Sequence, residues 1–387
     1  MENTNLKLLI VDDEQPILSA LKSLLRKENY DIYTVDNPKE AIKLLFTDKF
    51  DIVISDMRMP EINGIALLEK AADFNPNSYR IILSGYEDRN IVFGAIASGY
   101  AHAYMMKPWE DQFLKDVLSR SAKIVENVVK VDNKILLSKL NSLPTESKFS
   151  EYISNIINDE DISIDKLSEM IVKSPAILSK LLHLSNSVYI GSIGRITTAK
   201  EAIHFLGINY VVTLLNSFEF INSFYNTLPP IIKFFLDSWL EISSKRAKIV
   251  EMIIQSNESS TKNERDLSVI VAMFWDLAIL IEACLFPDHF IKILDNNYKV
   301  TRENALKKFG DNFYFLGTLL LEIWNFPYII IEHINNLITS NFISNIEQAV
   351  LLSDCIVTNS EIPLNLSSEI KEKLLYWKSK TNFNEAI

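Results

Sequence analysis

Three carboxylates, one hydroxyl and one ammonium recur at comparable positions in the first third of this chain. Asp12 and Asp13 follow the apolar run LKLLIV, Asp56 follows DIVIS, Ser84 follows YRIIL and Lys107 follows AHAYMM. If those runs are strands of one sheet, the side chains gather at one end of it. Carboxylates packed together repel one another unless a hard cation binds among them, and Mg2+ takes oxygen ligands in octahedral geometry. In that setting Asp56 reads as a nucleophile toward phosphorus, Lys107 as the ammonium that meets developing charge, and Ser84 as a donor to another phosphoryl oxygen. Singly, each residue has an ordinary use: an acidic pair opening a helix, a capping serine, a solvated lysine. Their order and common placement carry the inference.

The elements that must position them alternate. From Leu6 to about Arg120 the five apolar runs LKLLIV, DIYTV, DIVIS, YRIIL and AHAYMM are separated by stretches of helical period starting near Pro16, Pro38, Ile62, Asp88 and Glu110. That alternation predicts a parallel sheet covered on both faces, with its crevice at the carboxyl ends of the strands. The helix opening at Glu110 has no clear stop before Leu143-Pro144. Along it Val117, Ile124, Val128, Val131 and Ile135, with Ser121, fall at heptad spacing, which suits pairing with a second copy of the chain or packing on its own second half. After Pro144 no strand signal remains. Helical stretches follow, among them Ser147 to Asn158, Ser163 to Val172, Pro175 to Ser187, Pro230 to Gln255, Leu267 to Phe286 and Tyr328 to Thr339, and the polar run from Ser256 to Asp266 reads as an exposed loop.

The stretch from about Lys7 to Arg120 resembles the receiver domains of two-component signalling. The resemblance rests on the acidic pair in LLIVDDE, on DIVISDMRMP with its following Pro60 and Gly64, on LSGY and on MMKPW. It implies a flavodoxin-like, doubly wound five-stranded fold. It also implies phosphorylation on Asp56, Mg2+ held by Asp12, Asp13, Asp56 and the Arg58 carbonyl, phosphoryl contacts from Ser84 and Lys107, switching by Ser84 and Tyr104, and a cis bond before Pro108. Arg58 and Tyr86 are bulky residues flanking the path of an attacking water, which predicts a long-lived phosphoryl group.

The second half resembles the HDOD domain, a helical relative of the HD phosphohydrolases. The matching residues are Leu143-Pro144, Ser174-Pro175 followed by LLHLSNSVY, ITTAKEAIHFLG, and WNFP at Trp324 to Pro327. HD hydrolases carry an adjacent His-Asp pair and further histidines for a di-metal site. Here SVIVAMFWDLAIL places Trp275 in the histidine slot beside Asp276, the helix from Trp239 to Val250 has no histidine, and Asp276, His289 and His333 make an unusual set. His183 and His204 read as core or helix-surface residues.

The expected organisation is therefore α/β plus all-α: a receiver at 1–122, a connecting helix at 123–142 and a helical HDOD-like output domain at 143–387. The expected function is a response regulator. A sensor histidine kinase or phosphotransfer protein would phosphorylate it, and a non-catalytic protein-interaction domain would address a downstream signalling protein; the alternative is a phosphorylation-controlled HD-type phosphodiesterase or nucleotide hydrolase. The length of 387 residues exceeds one core, and 48% hydrophobic with 23% charged residues is globular composition. A net charge of -11 opposes binding to nucleic acid or anionic membrane. Cys284 and Cys355 read as buried thiols rather than a disulfide or zinc pair. The N-terminal MENTNLKLLIVDDE carries no leader pattern and no run of apolar residues is long enough for a membrane span, so the expected location is cytoplasmic.

Overall fold

A computed structural model describes residues 5–85, 89–130, 163–189, 196–221, 228–256, 259–294, 300, 302–310, 313–339, 344–358, 372 and 375–376. Backbone contacts divide the chain into two compact units. One comprises Met1–Leu143, His183–Arg195 and Leu319–Phe326; the other comprises Pro144–Leu182, Ile196–Thr318 and Pro327–Ile387.

The first unit is built on β1 (Leu6–Val11), β2 (Tyr30–Val35), β3 (Ile52–Asp56), β4 (Tyr79–Ser84) and β5 (Ala103–Met106). Between and after them run α1 (Gln15–Leu25), α2 (Pro38–Thr47), α3 (Gly64–Phe74), α4 (Arg89–Ala97) and α5 (Asp111–Lys130). All strands are parallel, in the order β2-β1-β3-β4-β5. The doubly wound expectation holds. β3 and β4 are buried at every residue, because helices cover both faces and leave no polar side for alternation. Helix α3 starts at Gly64 rather than near Ile62, since the Asn63 side chain caps it by accepting from the Ala66 N–H at 2.9 Å. In α5 the described part of the heptad stripe, Val117, Ser121, Ile124 and Val128, is at most 2% exposed within the single chain. Those residues therefore offer no free seam to a second copy; Val131 and Ile135 lie outside the described residues.

A sixth strand, β6 (Val188–Tyr189), pairs in parallel with β5. The sequence reading placed no strand after Pro144. Two residues are too few to show a period, and this pair becomes a strand by hydrogen bonding to an existing edge: the Tyr104 N–H donates to the Ser187 carbonyl at 2.8 Å. On the same side of the unit, the Asn325 side-chain amide donates to the His102 carbonyl at 3.0 Å, and Asn325 itself has φ of 57°, a conformation asparagine tolerates well.

Helix α7 (Pro175–Asn186) leads into β6. The second unit is helical: α6 (Ile164–Ile171), α8 (Ala199–Leu206), α9 (Ile208–Ile221), α10 (Pro230–Gln255), α11 (Lys262–Phe274), α12 (Leu277–Leu285), α13 (Pro287–Phe290) and α14 (Arg302–Phe309). Then come α15 (Phe315–Ile323), whose last turns join the first unit, α16 (Tyr328–Ile338) and α17 (Asn345–Thr358). The single helix expected from Leu267 to Phe286 is two, α11 and α12, parted at Trp275-Asp276. Helix α11 also begins at Lys262, inside the run read as a loop. Thr261 and Glu264 form a capping box there: the Thr261 hydroxyl accepts from the Glu264 N–H at 3.2 Å, and the Glu264 carboxylate accepts from the Thr261 N–H at 2.8 Å. By length and composition the stretch Lys262–Leu285 could cross a membrane, but 94% of its most apolar window is buried inside the protein. Both cysteines are free and buried, as expected. The stretch Ser147 to Asn158 lies outside the described residues.

Candidate functional site

The strand register brings the chemistry together. Val11 pairs with Ser55, Asp56 with Leu83 and Ser84 with Met106, so the carboxyl ends of β1, β3, β4 and β5 finish level. Asp12 is fully buried just past β1, Asp56 is the last residue of β3 and 6% exposed, and Ser84 ends β4 at 2%. Lys107 follows β5, fixed by its own N–H donating to the Ser84 carbonyl at 2.8 Å, and the Lys107-Pro108 bond is cis as the resemblance implied.

The Lys107 ammonium donates to Asp12 Oδ2 at 2.9 Å and forms an ion pair with Asp56 Oδ1. The other oxygen of Asp56 accepts from the Arg58 N–H at 2.8 Å, and Asp12 Oδ1 accepts from the Glu14 N–H at 2.9 Å. Burial pushes the Asp56 carboxyl up from its ordinary range, against the lowering pull of Lys107. For Lys107, burial lowers the ammonium but the hydrogen bonds with Asp56 and Asp12 more than offset it, and the net direction is up. Asp56 is thus a desolvated, oriented carboxylate with one cation against it.

Gly64 makes that placement possible. A methyl group added at its α-carbon would lie 2.1 Å from the Asp56 carbonyl oxygen. Its N–H donates to the Met57 carbonyl at 3.0 Å, so α3 begins tight against the strand that carries Asp56. Sequence reading tied Gly64 to the family pattern; the reason for it is this backbone approach. Tyr104 is 1% exposed and its hydroxyl donates to the Gly85 carbonyl at 3.1 Å, an inward position one residue from Ser84. Arg58 is exposed beside Asp56, and Asp13 is exposed beside Asp12; Tyr86 lies outside the described residues. Among the described residues no three histidine, cysteine, aspartate or glutamate side chains are gathered closely enough to hold a metal as they stand; the Lys107 ammonium lies against Asp12 and Asp56, and Asp13 is exposed. The donor set still suits Mg2+: three carboxylates less one ammonium leave two negative charges to be met by a divalent, oxygen-seeking ion.

In the helical unit two of the residues that resemble a hydrolytic set, Asp276 and His333, are already engaged elsewhere. Asp276 is held by Arg246, whose Nη1 and Nη2 donate to its two oxygens at 3.1 and 3.0 Å. His333 pairs with the buried Glu347 at 2.8 Å, and Asn336 donates to the same Glu347 oxygen at 2.9 Å. His289 is exposed on its short helix. Of the motif histidines, His183 is buried edge-on to Trp324, and His204 is exposed on α8. Sequence reading missed Arg246 and Asp354, because a lone arginine and aspartate on apolar helices give no spacing signal.

A response regulator receiver family matches residues 8–119, and the HDOD domain family matches residues 143–338, about half of the chain. Among curated proteins the chain is 30% identical over 118 residues to the chemotaxis protein CheY of Thermotoga maritima, covering 30% of this chain and 98% of that one. It is 36% identical over 114 residues to the two-component response regulator ARR12 of Arabidopsis thaliana, covering 29% of this chain and 19% of that one. The match to the hydrogenase transcriptional regulatory protein HoxA of Bradyrhizobium diazoefficiens, 28% over 117 residues and 30% of this chain, spans only 24% of that protein. Among solved structures, the receiver domain of an HD domain-containing protein from Pseudomonas fluorescens aligns at 30% identity over 32% of this chain and 98% of that chain, with a TM-score of 0.31. The MmoQ response regulator from Methylococcus capsulatus aligns at 19% identity over 61% of this chain and 99% of that chain, with a TM-score of 0.47. With receiver and HDOD families matched in succession, the chain belongs to the HDOD family and is a response regulator in which a receiver domain precedes an HDOD output domain.

Proposed function

We propose that Asp56 is the phosphoryl acceptor of this response regulator and that the HDOD half signals by protein contact rather than by hydrolysis. The observation that carries the first part is the contact of one ammonium, Lys107, with both Asp12 and Asp56 at the carboxyl end of the sheet. A receiver takes its phosphoryl group from a phosphodonor such as a sensor histidine kinase. An Asp56 oxygen attacks phosphorus, the new P–O bond forms as the P–N bond of the phosphohistidine breaks, and the electron pair leaves with the imidazole. Lys107 and the Ser84 hydroxyl meet the phosphoryl oxygens. Asp12, Asp13, Asp56 and the Arg58 carbonyl would hold Mg2+, which supplies charge neutralisation when bound. Ser84 and the inward Tyr104 on β5 report the change to the surface.

The test uses acetyl phosphate with Mg2+ and intact-mass measurement. One acid-labile phosphoryl group per chain is expected, lost in both Asp56→Ala and Asp13→Ala. Undiminished labelling of Asp56→Ala would place the acceptor elsewhere. For the HDOD half, the same protein is incubated with Mn2+ and bis(p-nitrophenyl) phosphate or cyclic dinucleotides, with no hydrolysis expected.

A further inference from the structure

Each of the three guanidinium nitrogens of Arg246 is engaged inside the helical unit, through four hydrogen bonds and a further ion-pair contact. Nε donates to Asp354 Oδ1 at 3.0 Å, and Nη2 reaches the same oxygen at 2.9 Å. Nη1 donates to the Ala272 carbonyl and to Asp276 Oδ1, both at 3.1 Å, and Nη2 donates to Asp276 Oδ2 at 3.0 Å. The guanidinium carbon lies 5.5 Å from the ring centre of Trp275, and the side chain is 1% exposed. Arginine has five donors in a fixed plane and keeps its proton in proteins, so this group is permanently charged and held on all three nitrogens.

The resemblance to HD hydrolases gives Asp276 a different partner, a divalent metal bound with histidine beside it. The residues here do not fit that group: Trp275 fills the histidine slot and a cation already bonds to both oxygens of Asp276. We infer that Arg246 is the resident cation of this site. It binds Asp276 between α11 and α12 to Asp354 of α17 from its own place on α10, and it excludes a metal from those carboxylates. Metal–oxygen bonds of about 2.0–2.2 Å would require each carboxylate to close in on a common point. The guanidinium holds them at hydrogen-bond distance, and protonation equilibria offer no route to remove it. The inference deepens the non-hydrolytic reading of the HDOD half and rests on it.

The experiment uses the full chain carrying Asp13→Ala, so that the receiver's own metal ligands are disabled. Free Mn2+ is followed by electron paramagnetic resonance, with Asp276→Asn added as the comparison. No stoichiometric site that depends on Asp276 is expected. An Asp276-dependent site without hydrolysis of bis(p-nitrophenyl) phosphate overturns the resident-cation inference alone; with hydrolysis, it overturns the non-hydrolytic reading as well. Arg246→Met tests the competition from the other side. Removing the cation frees the two carboxylates, so Mn2+ should raise the melting temperature of this variant and leave that of its Asp13→Ala parent unchanged. A folded Arg246→Met protein with no response to Mn2+ would show that cation and metal do not compete for one place. Where that variant does not fold, the Mn2+ titration of the parent decides alone.

Discussion

Replacing Gly64 with alanine should damage the phosphoryl-acceptor site more than a single added methyl suggests. The new carbon would begin 2.1 Å from the Asp56 carbonyl oxygen, 2.9 Å from its carbonyl carbon and 3.0 Å from the Ser55 hydroxyl. Ordinary contact starts at 3.4 Å, so about 1.3 Å of relief is needed against backbone, which cannot rotate away as a side chain can. Overpacking of a tight contact costs about 1–3 kcal/mol. The relief must also come from α3 or from the end of β3, and β3 ends on the nucleophile. A displacement near 1 Å at a reacting group lowers rate by on the order of 100-fold. Two assays separate the effects: thermal unfolding for stability, and the initial rate of acetyl phosphate labelling with Mg2+ for the site. The expected Gly64→Ala protein melts lower and is labelled far more slowly while folded. Labelling at the wild-type rate with unchanged melting would refute the claim that this close approach fixes Asp56.

Asp56→Asn should raise the melting temperature of the unphosphorylated protein at neutral pH. Burial holds the folded carboxyl above its unfolded value, so its charge costs stability at higher pH, and the gain from asparagine should shrink as the pH falls through the Asp56 titration. An equal gain at pH 4 and pH 8 would contradict this. Glu282 is buried on α12 with its carboxyl pushed up to about 7. Its folded pKa exceeds the unfolded one, so its contribution improves as the pH drops from above 7 toward 4.5, and Glu282→Gln should flatten that part of a melting-temperature profile. Arg246→Met removes the cation bonded to both oxygens of Asp276 and should cost about 3–5 kcal/mol in urea unfolding, the usual consequence of stranding buried charge; a loss under 1 kcal/mol would show the carboxylates relax into water.

The receiver half was readable because its signal is redundant. Apolar runs of strand length, the Asn and Pro starts of the helices and the polar residue after each run all point to one sheet, and Asp12, Asp56, Ser84 and Lys107 meet where the topology says they must. Asp13 shows the limit: adjacency in sequence treats the acidic pair alike, whereas Asp12 is buried and Asp13 is exposed just past the end of β1, a difference in burial that residue type does not carry. The stripe on α5 was ambiguous for a related reason. Heptad spacing reports that a face is apolar, not which surface covers it. In the helical half, the missing His-Asp pair was visible as Trp275-Asp276, whereas its replacement by Arg246 and Asp354 was not, since those residues come together only through the packing of α10 on α17.

Strand β6 has a practical consequence for how this protein can be divided. The receiver match ends at residue 119, yet the backbone groups of Tyr104 and Met105 on the outer side of β5 face partners at residues 187–189. A fragment stopped near residue 122 would leave that side of β5 as a raw edge, and raw edges accept strands from other molecules. Self-association of such a fragment would then be a property of the cut, not of the regulator. A faithful receiver for biophysical work needs the Ser187–Tyr189 stretch kept in the same chain, or a charged residue placed on the outer side of β5 to blunt it.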